Sequence, residues 1–573
     1  MTIHPFDLQT RAELAAGALT SLLDEDRDGL MYFLADWRAR PPRADHGLWD
    51  CGDGSGRHID ALTLLRSMLP ASSPAKAVTP AETQLEGWML RLLGEEGLSW
   101  LPHEPWAAPW GTDMVLEDWN PADVLAEVSW AQRGTLLGLA SRYRFTHDER
   151  YQAAGQKMVD GLRSIAVVHP DGLYYPEGYY RQGGWRSTRP GRYAGLEEYN
   201  AAVLVSLVRF YQATGYAPAL DLAEGLARFA LKHTHGYAPD GRLQTGPRPG
   251  VEDHLHTRTN FILGVLELGI ATGRPEYVAW ARQAYACAQE WGTDFGWFPE
   301  GLGHRHGEIC CTTDMLECAL LLGQHVSRDY FADAECYGRN HLLESQYLSL
   351  DALQGAVAKL PPSPHQPPYE GRYSTTRGVT ESQVGAFAAR STLNDAFHLD
   401  ATSMMQCCNA AGARGLYDVW NSAVEVTQNE LPEVAIHLRL SVMTPFVKVI
   451  SYEPAEGRLE ITPHQTCQIS VRLPLGETLA LLTSKSSGAN VTQMNAQSGY
   501  VGFEAHAGER YTLHYALRER SVTYSVGRAE RTLTCTGHWR GETLLRIDPA
   551  GEYLPLYERR VDLGPVQPAQ ADA

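Results

Sequence analysis

From about residue 84 to 350 the apolar side chains recur at helical spacing, as in Val124-Leu125-Val128-Trp130-Leu136-Leu137-Leu139-Ala140, which predicts helices with one apolar face. The segments come in pairs joined by similar turns, FTHDERYQAAG, ATGYAPALDLA, ATGRPEYVAWA and VSRDYFADA. These start near Thr146, Thr214, Thr272 and Ser327, about 55–70 residues apart, a period that suits one helical hairpin plus a loop. Each carries a Tyr a few positions on that can pack under the second helix. A ring of such hairpins is an (α/α) barrel. The long loop from His169 to Gly195, rich in Gly, Tyr and Trp, belongs at the mouth of such a toroid, where function usually resides.

After about Glu430 the pattern changes to short alternating, β-branched runs, VAIHLRLSVMT, FVKVISYEP, RLEITPH, CQISVRLPL and GERYTLHYAL, broken by Gly, Pro or Asn. The expected fold class is therefore a mainly α N-terminal barrel plus a C-terminal all-β sandwich. Residues 1–430 form the barrel, 431–563 the β-sandwich, and 564–573, GPVQPAQADA, a disordered tail.

Composition narrows the partners. With 49 Lys and Arg against 68 Asp and Glu, the net charge of −19 repels phosphate backbones and anionic membranes, so neither nucleic acid nor a membrane is expected as a partner. The first residues lack a basic segment followed by an apolar run, and no stretch reaches the ~20 apolar residues of a membrane span. A cytoplasmic protein is expected. Its ten cysteines then read as reduced thiols rather than a disulfide framework. The oligomeric state stays open, a homo-oligomer included.

Two stretches carry chemistry. In GLGHRHGEICCTTDMLEC, residues 301–318, His304, His306, Glu308 and Cys310 alternate, so an extended backbone would turn all four the same way. Helix-forming residues begin after Thr312-Thr313-Asp314, which sets Cys310 and Cys311 just before a helix start. About a hundred residues later Cys407 and Cys408 likewise precede a helical run. Helix N-termini favour thiolates. Glu308, Cys310, Cys407 and Cys408 suit a four-ligand site for Zn2+, and the competing reading is a set of buried inert cysteines. The Gly-rich loop from Asp50 to Asp60 lacks the Lys-Ser/Thr ending of a phosphate loop.

GEIC (Gly307 to Cys310), CCN (Cys407 to Asn409) and, between them, ADAECYGRNHLLESQ resemble glycoside hydrolase family 127, the β-L-arabinofuranosidases and their relatives, as a distant member. The family pattern is Gly-Glu-x-Cys, Glu-Arg-x-x-x-Asn and Cys-Cys; this chain keeps Glu335 and Asn340 but has Cys336 where the Arg stands. The resemblance implies an (α/α)6 barrel followed by β-sandwich modules, with Zn2+ held by Glu308, Cys310, Cys407 and Cys408. It implies Cys407 as nucleophile and Glu300 as acid/base, with Asp294 the second choice. His256, Glu335 and Tyr199 correspond to sugar-binding positions, although Leu196 replaces a family histidine near Tyr199. Trp297 is a candidate for stacking on a sugar face. The activity implied is a retaining, β-L-arabinofuranosidase-like glycosidase that uses a zinc-bound cysteine to cleave a terminal sugar from a small glycoside or oligosaccharide. Two alternatives are an inverting enzyme with a structural zinc and a carboxylate pair such as Asp294 and Glu300 or Asp53, and a non-catalytic carbohydrate-binding relative.

Overall fold

The helical periodicity is realised as two concentric layers. The computed structural model describes residues 3–101, 124–190, 200–244, 254–363, 373–399, 403–484, 491–527 and 532–571. Its helices, in chain order, are α1 (Leu8–Leu19), α2 (Asp53–Met68), α3 (Pro80–Arg91), α4 (Trp130–Thr146), α5 (Glu149–Ile165), α6 (Leu204–Thr214), α7 (Ala217–His233), α8 (Leu255–Thr272), α9 (Pro275–Gln289), α10 (Ile309–His325), α11 (Phe331–Tyr337), α12 (Leu350–Lys359) and α13 (Gln406–Ser422). Among them α2, α4, α6, α8, α10 and α13 pack each on the next, and α13 packs back on α2, which closes a ring. Outside it, α3 backs α2, α5 backs α4, α7 backs α6, α9 backs α8, α11 backs α10 and α1 backs α13.

Burial follows from that position. The outer helix α5 buries Tyr151, Gly155, Met158, Val159, Leu162 and Ile165, the single stripe of an amphipathic helix. The ring helix α8 is instead buried at every position from Leu255 to Gly269. Three of the four predicted turns end their helices in the left-handed conformation, at His147 (φ 54°), Gly215 (φ 70°) and Gly273 (φ 65°), a common way to stop a helix and reverse the chain; the fourth, at Val326, does not.

Glycines set the closest approach in the ring. A Cβ on Gly56 of α2 would lie 2.1 Å from the carbonyl oxygen of Gly134 on α4. The Gly-rich loop therefore serves helix packing: it lets α2 and α4 touch backbone to backbone. The N-terminal region adds a four-stranded sheet in the order Ser403–Met405, Leu34–Asp36, Arg43–Asp45, Ser374–Thr375. Its first strand runs straight into α13, whose Gln406 N–H donates to the Phe33 carbonyl at 3.0 Å.

The change from helix to strand falls at Ala423, a few residues before the expected boundary at 430. A four-stranded sheet (Val424–Thr427, Glu433–Ile436, Cys467–Arg472, Tyr500–Ala505), a six-stranded sheet and a three-stranded sheet follow. Alternate residues of Val447–Ser451 and Arg458–Pro463 are buried, the signature of a sheet with one face on a core. Residues 564–571, expected to be disordered, carry no helix or strand, yet Ala569 exchanges two hydrogen bonds with the Gln9 side chain (2.7 and 3.1 Å). No helix among the described residues is long and apolar enough to cross a membrane.

Candidate active site

The two cysteine stretches meet at one mouth of the ring. Both helices start earlier than the sequence suggested: α10 begins at Ile309 and α13 at Gln406, so Cys310, Cys407 and Cys408 sit in first turns rather than ahead of them. Threonine is tolerated inside α10 because its hydroxyls find acceptors, Thr313 on the Ile309 carbonyl and Thr312 on the Gly296 carbonyl. Glu308 is the extended residue at the N-cap (φ −136°, ψ 126°). Its N–H bonds the Phe298 carbonyl at 3.0 Å, and that of Gly307 bonds the Ser391 carbonyl at 2.7 Å.

Cys310 and Cys408 Sγ are 3.5 Å apart, Cys407 and Cys408 Sγ 3.9 Å, and Cys408 Sγ lies 3.7 Å from Glu308 Oε1. A tetrahedron with Zn–S bonds of about 2.3 Å has edges of about 3.8 Å, so the three thiols are spaced as zinc ligands, while Glu308 meets Cys408 and stands outside the close group of three. His254 Nε2 holds the other oxygen of Glu308 at 2.8 Å, an outer contact of the kind that orients a metal-binding carboxylate. Cys310 and Cys408 are fully buried, whereas Cys407 is only partly so. Hydrogen bonds from Cys310 and Cys408, with the nearby Arg57 charge, hold the Cys407 thiol well below its ordinary range; burial pushes Cys408 up.

Arginines and one aspartate complete the floor. Arg57 of α2 points Nη2 at Cys310 Sγ (3.8 Å) and Nη1 at Asp53 Oδ2 (3.8 Å). Burial raises the Asp53 carboxyl against the pull of Arg57 and Arg133. His256 donates from Nδ1 to Asp314 at 2.7 Å, which leaves Nε2 to accept from Arg133 Nη1 at 3.4 Å, and its ring stacks on Trp130 at 5.0 Å. His256 is thus in the site region but committed on both nitrogens.

Glu300 stands beside Glu308: one donor atom from each, with one of His254, lie within 4.8 Å of one another. His306 Nε2 is 2.6 Å from Glu300 Oε2, Arg390 Nε donates to Oε1 at 2.9 Å, and His304 Nδ1 is 3.8 Å away. Burial alone would raise the Glu300 carboxyl, but hydrogen bonds from His304 and His306 and the Arg390 charge outweigh it and hold the group far below the usual carboxylate range. At rest it is a carboxylate.

Other expected residues lie elsewhere. Glu335 is fully buried in an ion cluster with Arg339 (2.6 Å), Arg439 (3.1 Å) and Arg472, where α11 meets the β-strands. A motif glutamate is drawn there by three guanidiniums, which makes it a joint of the architecture. Trp297 has no exposed surface; its indole N–H donates to the Ser391 carbonyl at 3.0 Å, and the ring lies against Gly307 beneath the Glu308 segment. It backs the site and offers no face for stacking. Asp294 pairs with Arg520 at 3.1 Å and Tyr524 at 2.5 Å on the last sheet. Tyr199 lies outside the described residues.

The structure adds Arg57, Arg133, His254 and Arg390 to the site, none of them singled out by the sequence reading. His254 was visible two residues before His256 in HLHTRTN, and Arg57 inside the Gly-rich loop. Arg390 had no local signal, since its partner is 90 residues away.

No family model matches the chain, and no curated protein matches it. Solved structures do. A β-arabinofuranosidase of glycoside hydrolase family 127 superposes with a TM-score of 0.56 at 12% identity, over 94% of this chain and 81% of its own. A family 127 β-L-arabinofuranosidase from Geobacillus stearothermophilus T6 gives 0.55 at 12%, over 95% and 80%. A third, described only as a glycoside hydrolase, gives 0.53 at 11%, over 87% and 78%. At such identities the likeness is one of fold, and it spans the helical and the β parts together. The chain has the fold of solved family 127 glycosidases.

Proposed function

We propose that the protein is a retaining glycoside hydrolase of family 127 type, with Cys407 as nucleophile, acting on a terminal arabinofuranoside-like sugar of a small glycoside or oligosaccharide. The observation that carries the reading is the asymmetry of the cluster: three cysteines converge with Glu308 against Cys408, and Cys407 alone of the three is not fully buried. The architecture in this proposal is an (α/α)6 barrel over residues 1–430, supported by the closed ring of α2, α4, α6, α8, α10 and α13, and a β-sandwich over 431–563. The setting is cytoplasmic, because a centre built on free thiols needs a reducing compartment.

Held by Glu308, Cys310, Cys407 and Cys408, Zn2+ would supply Lewis acidity that keeps the thiols deprotonated at neutral pH. The Cys407 thiolate attacks the anomeric carbon, and the bond from that carbon to the leaving oxygen breaks. The proton for the leaving oxygen comes from the His306–Glu300 pair, whose 2.6 Å contact passes it along when His306 carries one. In the second step Glu300, a carboxylate by virtue of Arg390 and His306, takes a proton from water. That water attacks the anomeric carbon and Cys407 leaves as thiolate. Two displacements give net retention. Arg390 acts as a positioning residue.

Replacement Cys407→Ser tests the reading. Hydrolysis of nitrophenyl furanosides should fall by at least about 10³-fold, while circular dichroism and the melting temperature stay near wild type. Turnover within tenfold of wild type in a folded C407S protein would remove Cys407 from the chemistry.

A further inference from the structure

His304 and His306 alternate with other residues in GLGHRHGE, residues 301–308, and the thiol cluster uses neither. Both imidazoles turn to one atom, Glu300 Oε2, with His306 Nε2 at 2.6 Å and His304 Nδ1 at 3.8 Å. Backbone bonds close the loop that brings them there: the Glu300 N–H donates to the His306 carbonyl at 3.1 Å, and the His304 N–H to the Gly301 carbonyl at 3.0 Å. Gly303 supplies the left-handed residue of the reversal, at φ 81°. One donor atom each from Glu300, His304 and His306 lie within 4.8 Å of one another.

Two imidazoles and a carboxylate are a donor set for zinc and similar divalent ions, whereas Mg2+ and Ca2+ favour oxygen ligands alone. The surroundings suit such an ion. Arg390 Nε holds the other oxygen of Glu300, Oε1, at 2.9 Å, and a donor on the far oxygen fixes the direction in which a metal-binding carboxylate points. Access is open, since the side chains of His304, Glu300 and His306 keep 46%, 15% and 13% of their surface exposed. Charge also admits a cation, because Arg390 is met by Glu308 as well as by Glu300, two carboxylates against one guanidinium.

We propose that Glu300, His304 and His306 form a second metal site, for Zn2+, separate from the thiol cluster, and that an ion bound there inhibits the enzyme. A metal on Glu300 Oε2 and His306 Nε2 occupies the two atoms between which the proton for the leaving oxygen passes, and it bars Glu300 from taking a proton from water. The inhibition rests on the glycosidase reading given above. The metal site does not.

The full chain, first given one equivalent of Zn2+ to fill the thiol cluster, is titrated with CoCl2 and, in a separate arm, with MgCl2. One further Co2+ should bind, with the visible absorption of nitrogen and oxygen ligands and no thiolate charge-transfer band, and Mg2+ should not bind. His304→Ala and His306→Ala should each weaken Co2+ binding by at least about tenfold; the first alters the more exposed side chain and covers the case in which the second does not fold. Zn2+ beyond one equivalent should slow hydrolysis of nitrophenyl furanosides by at least about tenfold in the wild type, with the onset moved to higher Zn2+ in His304→Ala. No further Co2+ bound, thiolate charge transfer from that Co2+, or undiminished binding in the folded variants would each overturn the metal site. Binding without inhibition of an active enzyme would overturn the inhibition. A protein that binds the ion yet hydrolyses no glycoside would uphold the metal site and count against the glycosidase reading, and with it the inhibition.

Discussion

At the scale of single residues, the site depends on how each carboxylate is held. Glu308 is tied to His254 and the Cys408 sulfur, Asp314 to His256 and Thr259, and Glu300 to His306 and Arg390. Only Glu300 combines a place beside Glu308 with a histidine that can pass it a proton. Glu300→Gln should therefore lower kcat by about 10²–10⁴-fold, measured on a glycoside with a poor leaving group. Arg390→Met has a different signature. Without the guanidinium the Glu300 pKa rises, so the acid limb of the pH–kcat profile should move to higher pH while turnover persists; an unmoved limb would show that Arg390 does not set the charge state of Glu300. Much of this level was legible in the sequence where it was local. Glu308 and Cys310 are two residues apart and Cys407 and Cys408 adjacent, so short motifs announced them. Arg57, Arg390 and His254 reach the site through the fold, across 253, 90 and 54 positions, and sequence spacing carries no record of such pairings. Glu335 misled for the converse reason: its motif is local, but its charge is spent on a joint between α11 and the β-strands.

At the scale of elements, the site is as good as the contact between α2 and α4. Gly56 and Gly134 let the two backbones touch, and α2 delivers Asp53 and Arg57 to the cysteines. Gly56→Ala would drive a methyl group to 2.1 Å from the Gly134 oxygen. Overpacking of this kind costs about 1–3 kcal/mol, and the helices must part. Lower stability in chemical denaturation, together with reduced activity, is the expected outcome, and a fully stable, fully active G56A protein would contradict it. The helical pairs themselves were readable because amphipathic periodicity and left-handed turn residues act locally. The early starts of α10 and α13 were not, since there the Glu308 and Gln406 N–H groups and the Thr312 hydroxyl find their acceptors on the Phe298, Phe33 and Gly296 carbonyls of other segments.

For the whole molecule, buried histidines of opposite character set the pH range. His46 lies between Asp50 (2.6 Å) and Asp24 (2.9 Å), and although burial opposes it, their charges raise its pKa from 6.5 to about 9. Its contribution is complete below 6.5 and is lost as pH rises through about 9. His58 and His341 are neutral, lowered by burial to about 4 and about 3. Their contribution is complete above 6.5 and is lost as pH falls toward those values. The urea midpoint should therefore peak near pH 6.5 and fall on both sides, and a midpoint that climbs steadily from pH 6 to 4 would contradict the assignment.

The central claim, a cysteine that attacks the sugar, is tested most directly by stereochemistry. Proton NMR during hydrolysis of a nitrophenyl β-L-arabinofuranoside, recorded before the product mutarotates, reads the configuration of the first sugar released. Double displacement through Cys407 predicts the β-anomer. First release of the α-anomer would contradict it and would leave the cysteines a structural role.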